Sequence, residues 1–499
     1  MKQLLIYISM FLTLAGAASC NKWLELKPND GLVREDFWKT KEQVSAAVTG
    51  IYASMLGSVS GKTLAMPEYL FVWGEARADM VTPGFSVKPD ETDIINMNIL
   101  PTNSFANWRT FYETINYCNT VIKLAPNVLN QDNTFTQDML NRALGEALTI
   151  RALMYFYLVR TFDQVPLKLE PTVSDNDLSS MAKSPSEAIL NQIVADLRAA
   201  ENFLPESYGN SAVDRGRATR YTASTILADT YLWMEKYTEC AAQCDKVINS
   251  GRYGLIGQEN SLFNALFWQG NAVESIFELQ FDAQKLNPFF NMFAANSRRW
   301  GAASHLMEEV YGVDAVNTIP LKDSRGDGMA LRAEDATIWK YIGANDAGTA
   351  LRTADQSYAH WIFYRYADIL LMKAEAINQL DQPLEASRLV KTIRERATAL
   401  DFGDAMDSTS KSSMEEFILQ EREREFAFEG KRWYDLVRNA KRNNYAGIRY
   451  LLNSAAKSIA PDMQQSAFGK LRDRNSLFMP IFLYELQTNK LLVQNPFYK

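Results

Sequence analysis

RATRYTASTILADTYLWMEKYTECAAQCDKVIN, residues 217–249, reads as two helices joined by a tight turn. Tyr221, Thr225, Ala228 and Leu232 form one stripe, and Tyr237, Ala241, Cys244 and Ile248 form a second. Both follow the 3.6-residue helical period. The Glu-Lys pair in MEKYTECA separates them, so two antiparallel helices are expected to pack through small and aromatic side chains. A second such pair follows at 366–397. Its stripes are Ile369, Met372, Ala376 and Leu380, then Ala386, Val390, Ile393 and Ala397, with a DQP turn between them.

In scale these pairs resemble tetratricopeptide hairpins, without the strict signature of roughly 34 residues. Helical spacing extends outward from them. Trp108, Tyr112, Ile115 and Ile122 share one face, as do Leu144, Leu148, Ala152, Tyr155 and Val159, so helical elements are expected at about 40–57, 104–249 and 364–438. Residues 75–103 and 251–360 are different: Gly, Asn, Asp and isolated aromatics occur there with little period. A segment containing FFNMFAANSRRW is too apolar for a free linker. Long irregular segments carried on a helical frame are the expected seat of function. The fold class is mainly α.

Composition narrows the chemistry. The chain has 499 residues, 47% hydrophobic and 22% charged, with a formal charge of −7, which excludes a disordered chain. No basic run suits a polyphosphate backbone, so nucleic acid is not an expected partner. Lys2, the apolar stretch Leu4–Ala15 and the small residues before Cys20 read as an export signal, too short to span a bilayer. Ala18-Ser19-Cys20 matches the end of a lipoprotein signal, which gives an expected signal at 1–19, a body at 20–499 and lipidation at Cys20. Two or more acyl chains there would anchor the body to a membrane without crossing it. Cys118, Cys240 and Cys244 are too few for a disulfide scaffold and read as packed thiols. Two histidines, His305 and His360, lie far apart, and neither a metal site nor a cofactor is expected.

No GxSxG, HExxH or phosphate-loop motif occurs, and no catalytic residue is assigned. A glycosidase needs only two carboxylates roughly 5–9.5 Å apart. The best local candidates, Glu75 with Asp79 and Asp323 with Asp327, read more simply as caps, ion-pair partners or hydroxyl acceptors. In QEREREFAFEGKRWYDLVR, residues 420–438, acids and bases alternate beside an apolar face of Phe426, Trp433 and Val437. Buried Arg–carboxylate pairing that locks this helix to its neighbours is expected. Ligand contacts are sought where a ring and polar groups share an irregular segment, because a ring stacks on a sugar face while neighbours bond its hydroxyls. The candidates are Arg77, Asp79, Phe85 and Asn96 in the first segment, and Phe289, Phe290, Arg299 and Trp300 in the second.

Several stretches together resemble the SusD/RagB family of Bacteroidetes nutrient-binding outer-membrane lipoproteins. WGEARAD (73–79), WRTFYETINYCNTVI (108–122), GEALTIRALMYFYLVRTFDQVPL (145–167) and RGRATRYTASTILADTYLWMEKY (215–237) stand in the family's order. So do YRYADILLMKAEAIN (364–378), EREREFAFEGKRWYDLVR (421–438) and FMPIFLYELQTNKLLVQNPFY (478–498). The resemblance implies a SusD-like fold in which tetratricopeptide-like hairpins support an irregular ligand-binding part outside the cell. It also implies a non-catalytic glycan-binding cap that passes oligosaccharide or polysaccharide fragments to a SusC-type TonB-dependent transporter. Starch-binding members use an arc of aromatics with polar residues from both irregular segments. Here no tryptophan occurs from Asp90 to Phe105, which argues against starch. Capture of peptides or another non-sugar nutrient is one alternative reading, and glycoside hydrolysis another.

Overall fold

The computed structural model describes residues 37–57, 64–172, 180–257, 261–294, 297–312, 323–399 and 407–499. The expected export signal and Cys20 lie outside the described residues. The first long helix, α1 (Lys41–Met55), is closed by a reciprocal Thr40–Gln43 capping box and turns Val44, Val48, Ile51 and Met55 inward. α2 (Met66–Glu75) is buried at every position, as its apolar run MPEYLFVWGE requires. α3 (Arg109–Leu124) and α4 (Gln137–Phe162) follow, and α4 is a central rod buried on all sides from Gly145 to Phe162. The row continues with α5 (Ser186–Phe203), α6 (Arg220–Trp233) and α7 (Tyr237–Asn249). After the second irregular segment come α8 (Tyr366–Gln379), α9 (Pro383–Arg396), α10 (Lys411–Phe426) and α11 (Arg432–Tyr445). α12 (Ile448–Ala456) and α13 (Pro461–Leu471) lie beyond the last expected helical stretch.

From α3 to α9 each helix packs on the next; α3 to α7 and one face of α8 share the large core, while the other face of α8 packs with α9 and α10 in a second cluster. Both expected hairpins are present, and their turns close identically. In the first, Lys236 N donates to Tyr231 O (2.8 Å) and Glu235 N to Leu232 O (3.1 Å). In the second, Gln382 N donates to Ile377 O (3.0 Å) and Asp381 N to Asn378 O (3.1 Å). This Schellman pattern needs a left-handed residue, and Glu235 (φ 59°) and Asp381 (φ 61°) take that conformation without glycine. One stripe is rotated from its expected place. On α7 the buried residues are Cys240, Gln243, Cys244 and Val247, whereas Tyr237, Ala241 and Ile248 are only partly buried. α7 packs against both α6 and α8, so its inward face bisects two neighbours instead of pointing at one. Leu380 caps α8 past its last packed turn and is exposed.

The strands are β1 (Val81–Pro83), β2 (Ser275–Leu279), β3 (Trp300–Ala302), β4 (Leu331–Arg332), β5 (Thr337–Ile338) and β6 (Trp361–Arg365). They form three antiparallel pairs, β1 with β3, β2 with β6 and β4 with β5. β2 and β6 are buried throughout and stand near the two ends of the 251–360 segment, with Ser275 opposite Arg365 and Leu279 opposite Trp361. This pairing pinches the insertion at its base, so α7 and α8 still touch directly.

The charged run at 420–438 is buried, as its alternation suggested. Glu421, Arg422, Glu423, Arg424 and Glu425 are all shielded from solvent. Glu425 accepts from Arg325 Nη1 (2.9 Å) and Arg365 Nη1 (2.5 Å), and also pairs with Arg396. Glu429 takes Arg365 Nη2 (2.9 Å) and Lys340 Nζ (2.7 Å), and Glu421 takes Arg325 Nη1 (2.6 Å) and Arg394 Nη1 (2.9 Å). Burial alone would raise these carboxyls. The surrounding arginines outweigh it, holding Glu425 well below the ordinary range and Glu429 down at about 2. The network ties α9 and α10 to the irregular segment through Arg325 and Lys340 and to β6 through Arg365. Arg325 is fully buried here, so the RGD tripeptide at 325–327 presents no free arginine.

Candidate functional site

The first irregular segment leaves α2 through ARADM. Arg77 donates from Nη1 to Leu477 O (2.8 Å) and lies 4.3 Å over the Trp433 ring, and burial draws its guanidinium down to about 10. Asp79 holds Arg432 in a two-point pair, Nε and Nη2 each at 2.8 Å. Burial would raise its carboxyl, but Arg432 keeps it below the ordinary value. Glu75 accepts from Gly430 N (2.7 Å) and Lys431 N (3.2 Å), and burial pushes it up to about 8. All three bind the 73–79 motif to the 420–438 run. The expectation that Arg77 and Asp79 meet a ligand is therefore corrected: they are buried fold contacts. The backbones approach so closely here that a Cβ on Gly74 would lie 1.9 Å from Gly430 O. Gly430 itself sits at φ 70°.

In the second segment three further candidates turn inward. Trp300 is 0% exposed, in β3 opposite Pro83, with its ring against Phe71 at 5.7 Å. Phe289 is equally buried and lies 4.4 Å from Tyr341 within a ring cluster that includes Phe293 and Trp361. Arg299 donates from Nη1 to Glu68 Oε1 (2.7 Å) and pairs through Nη2 with Glu91. Trp300, Phe289 and Arg299 are thus core residues in this structure, not ligand platforms. A sugar could reach them only by opening the packing that holds the two segments together.

What the structure does bring together is a rim at the β1–β3 pair. Phe85 is 84% exposed at the tip of the turn after β1. Its neighbours fix the turn: Gly84 N donates to Arg299 O (2.8 Å) and Ser86 N to Arg298 O (3.0 Å). A Cβ on Gly84 would meet Arg298 O at 2.4 Å, so only glycine fits beneath the ring-bearing tip. Arg298, half-buried, donates from Nη1 to Asp335 O (2.5 Å), while its Nε has no partner among the described residues. The Asp335 carboxylate accepts from Arg332 Nε (3.0 Å) and Nη2 (2.7 Å). Although burial acts the other way, these bonds and those to Thr337 hold it at about 2. Phe290 is half-buried and heads a short helix tied to this edge by the Arg299 N to Met292 O bond (2.9 Å). Asn96 is half-buried at the end of the helix Pro89–Ile95. No described contact joins Asn96 to the rim.

Sequence reading named Arg299 and passed over Arg298. Strand alternation would place Arg298 on the side of Trp300 and Arg299 on the other, yet Arg299 and Trp300 are both buried and Arg298 is only half-buried, so the spacing in SRRW carries no signal that marks Arg298. The rim can stack a ring through the exposed Phe85. The carboxylates named above as local pairs do not meet there. Glu75, Asp79 and Asp323 are buried and bonded within the protein, and Asp327 accepts from Ala333 N (2.9 Å). Among the described residues no group of three or more His, Cys, Asp and Glu could hold a metal ion, and no helix is long and apolar enough to cross a membrane.

Comparison with known proteins bears on this geometry. Residues 322–498 match the model of the SusD family, and residues 22–232 match a family described as starch-binding and associating with the outer membrane. SusD-like protein P38 of Formosa agariphila is 27% identical over 88% of this chain and 92% of its own. A SusD-like protein of Bacteroides ovatus is 24% identical over 88% and 82% respectively. Among solved structures, a SusD superfamily protein from Bacteroides vulgatus superposes with a TM-score of 0.73 at 22% identity, covering 92% of this chain and all of that one. A laminarin-binding SusD-like protein superposes at 0.66, also at 22% identity, over 92% of this chain and 99% of its own. The mainly α architecture with helical hairpins is that of these neighbours.

Proposed function

The chain belongs to the SusD/RagB family, and from that premise we propose that it is a cell-surface glycan-binding lipoprotein that captures oligosaccharide and hands it to a SusC-type TonB-dependent transporter. Proteins of this family are typically outer-membrane lipoproteins that bind glycans without catalysing their cleavage. Association with SusC-type transporters is a general feature of the family. For this chain the supporting observation is the exposed Phe85 on the rim where the two irregular segments pair. An exposed ring suits the apolar face of a pyranose. Phe290 and Asn96, both half-buried, are the other candidates retained for this role. Anchoring would be through acyl chains on Cys20.

The reading is tested with acyl-free residues 20–499 in a calorimetric screen of neutral oligosaccharides, with peptides as competitors. Binding without product after prolonged incubation is expected. Phe85→Ala should weaken binding about tenfold at unchanged melting temperature. Selective displacement by peptides would support a peptide receptor instead, and sugar-chain cleavage a hydrolase. In cells, Cys20→Ala should release the protein from the membrane fraction, and the intact mass should lose its acyl increment.

A further inference from the structure

A separate cavity of about 570 Å³ opens between α3 and the C-terminal segment. Small-ligand sites span roughly 300–1,000 Å³. Its walls include Arg109, Tyr112 and Glu113 from one face of α3, Lys168 from the segment after α4, and Glu485 and Asn489 from the C-terminal segment. None of these belongs to the Phe85 rim.

The walls are fixed before any ligand arrives. Tyr112 Oη donates to Pro166 O (2.6 Å), Asn489 Nδ2 to Met181 O (2.8 Å), and Leu483 N to Pro101 O (2.8 Å). The opposite face of α3, with Phe111, Thr114, Ile115 and Cys118, is in the core, so the groove face is its outward one. Arg109 and Glu113 are exposed, and the Arg109 guanidinium acts electrostatically on the Glu485 carboxyl. Two cationic groups, Arg109 and Lys168, balance two carboxyls, Glu113 and Glu485. An anionic ligand would meet the carboxyls and a cationic one the bases, whereas an uncharged polyol can donate to Glu113 and Glu485 and accept from Arg109 and Lys168. Tyr112, partly exposed between them, offers apolar ring surface. Burial raises the Glu485 carboxyl, in keeping with a wall that favours uncharged contacts.

We propose that this groove is a second saccharide site, taking an uncharged oligosaccharide segment. The proposal rests on the glycan-binding reading above. Two sites on one body would raise the avidity for a long chain able to span both.

The test uses acyl-free residues 20–499 with maltohexaose, cellohexaose, laminarihexaose and xylohexaose, followed by calorimetry and hydrogen–deuterium exchange. At least one hexasaccharide should protect amides at 109–116 and 485–489. The double variant Arg109→Ala with Glu113→Ala should lose that protection and bind about tenfold more weakly at unchanged melting temperature. Protection confined to the 84–86 turn, with the double variant binding like the parent, overturns the groove and leaves the glycan reading standing. Failure of all four sugars to bind, or peptide binding in the groove instead, overturns both.

Discussion

Trp300 and Phe85 show how far the identity of a ring is from its role. Both lie in aromatic-polar stretches, yet one is 0% and the other 84% exposed. Trp300→Ala should cost about 3–5 kcal/mol of unfolding free energy, the usual range for truncating a buried aromatic, whereas Phe85→Ala should change affinity and leave stability alone. Denaturant unfolding of the two variants side by side checks this, and a Trp300→Ala protein as stable as the parent would refute the burial argument. The candidate site was legible in sequence only as a neighbourhood. The two irregular segments were recognisable because they break the helical period. Which of their residues face outward depends on the β1–β3 register, and that pairing joins residues more than two hundred positions apart.

At the scale of elements, the hairpins could be read because their signal is local: stripes at helical spacing and a short turn. The rotated stripe of α7 could not, since it reflects simultaneous packing on α6 and α8. The burial of the 420–438 run was readable from its alternation, but its partners Arg325, Lys340, Arg365 and Arg396 come from other elements. Removing one member of such a network strands charges in the core. Glu425→Gln is accordingly expected to lower stability by about 3–5 kcal/mol. The exposed Lys391–Glu395 pair at 3.8 Å is the control, where Glu395→Gln should change it by less than about 0.5 kcal/mol. Equal effects in chemical denaturation would mean that the network is not a clamp.

For the whole molecule these groups set a pH profile. Glu425, Glu429, Glu421, Glu375 and Asp435 all sit below their ordinary values: burial opposes this in each, and neighbouring arginines prevail. A depressed carboxyl contributes stability that is present above its unfolded pKa and lost as pH falls through the folded one. The denaturation midpoint should therefore drop steeply from about pH 4.5 toward pH 2. Glu75, raised to about 8 by burial, acts with the opposite sign: its folded form keeps a proton, so its contribution declines as pH rises from about 4.5 to 8. Compared with the parent, Glu75→Gln should flatten that neutral-range decline. Parallel midpoint curves for the two proteins between pH 5 and 8 would contradict the assignment.

Periodicity, the charge run and the ordered motifs determined the helical frame, the hairpins and the family, because each depends on residues close in the chain. The tertiary structure alone decided that Arg77, Asp79, Arg299, Phe289 and Trp300 are core, that Phe85 and Arg298 share a rim, and that α3 and the C-terminal segment enclose a groove. The physical reason is the same in all three: exposure and partnership arise from elements far apart in sequence, and neither composition nor spacing carries that information.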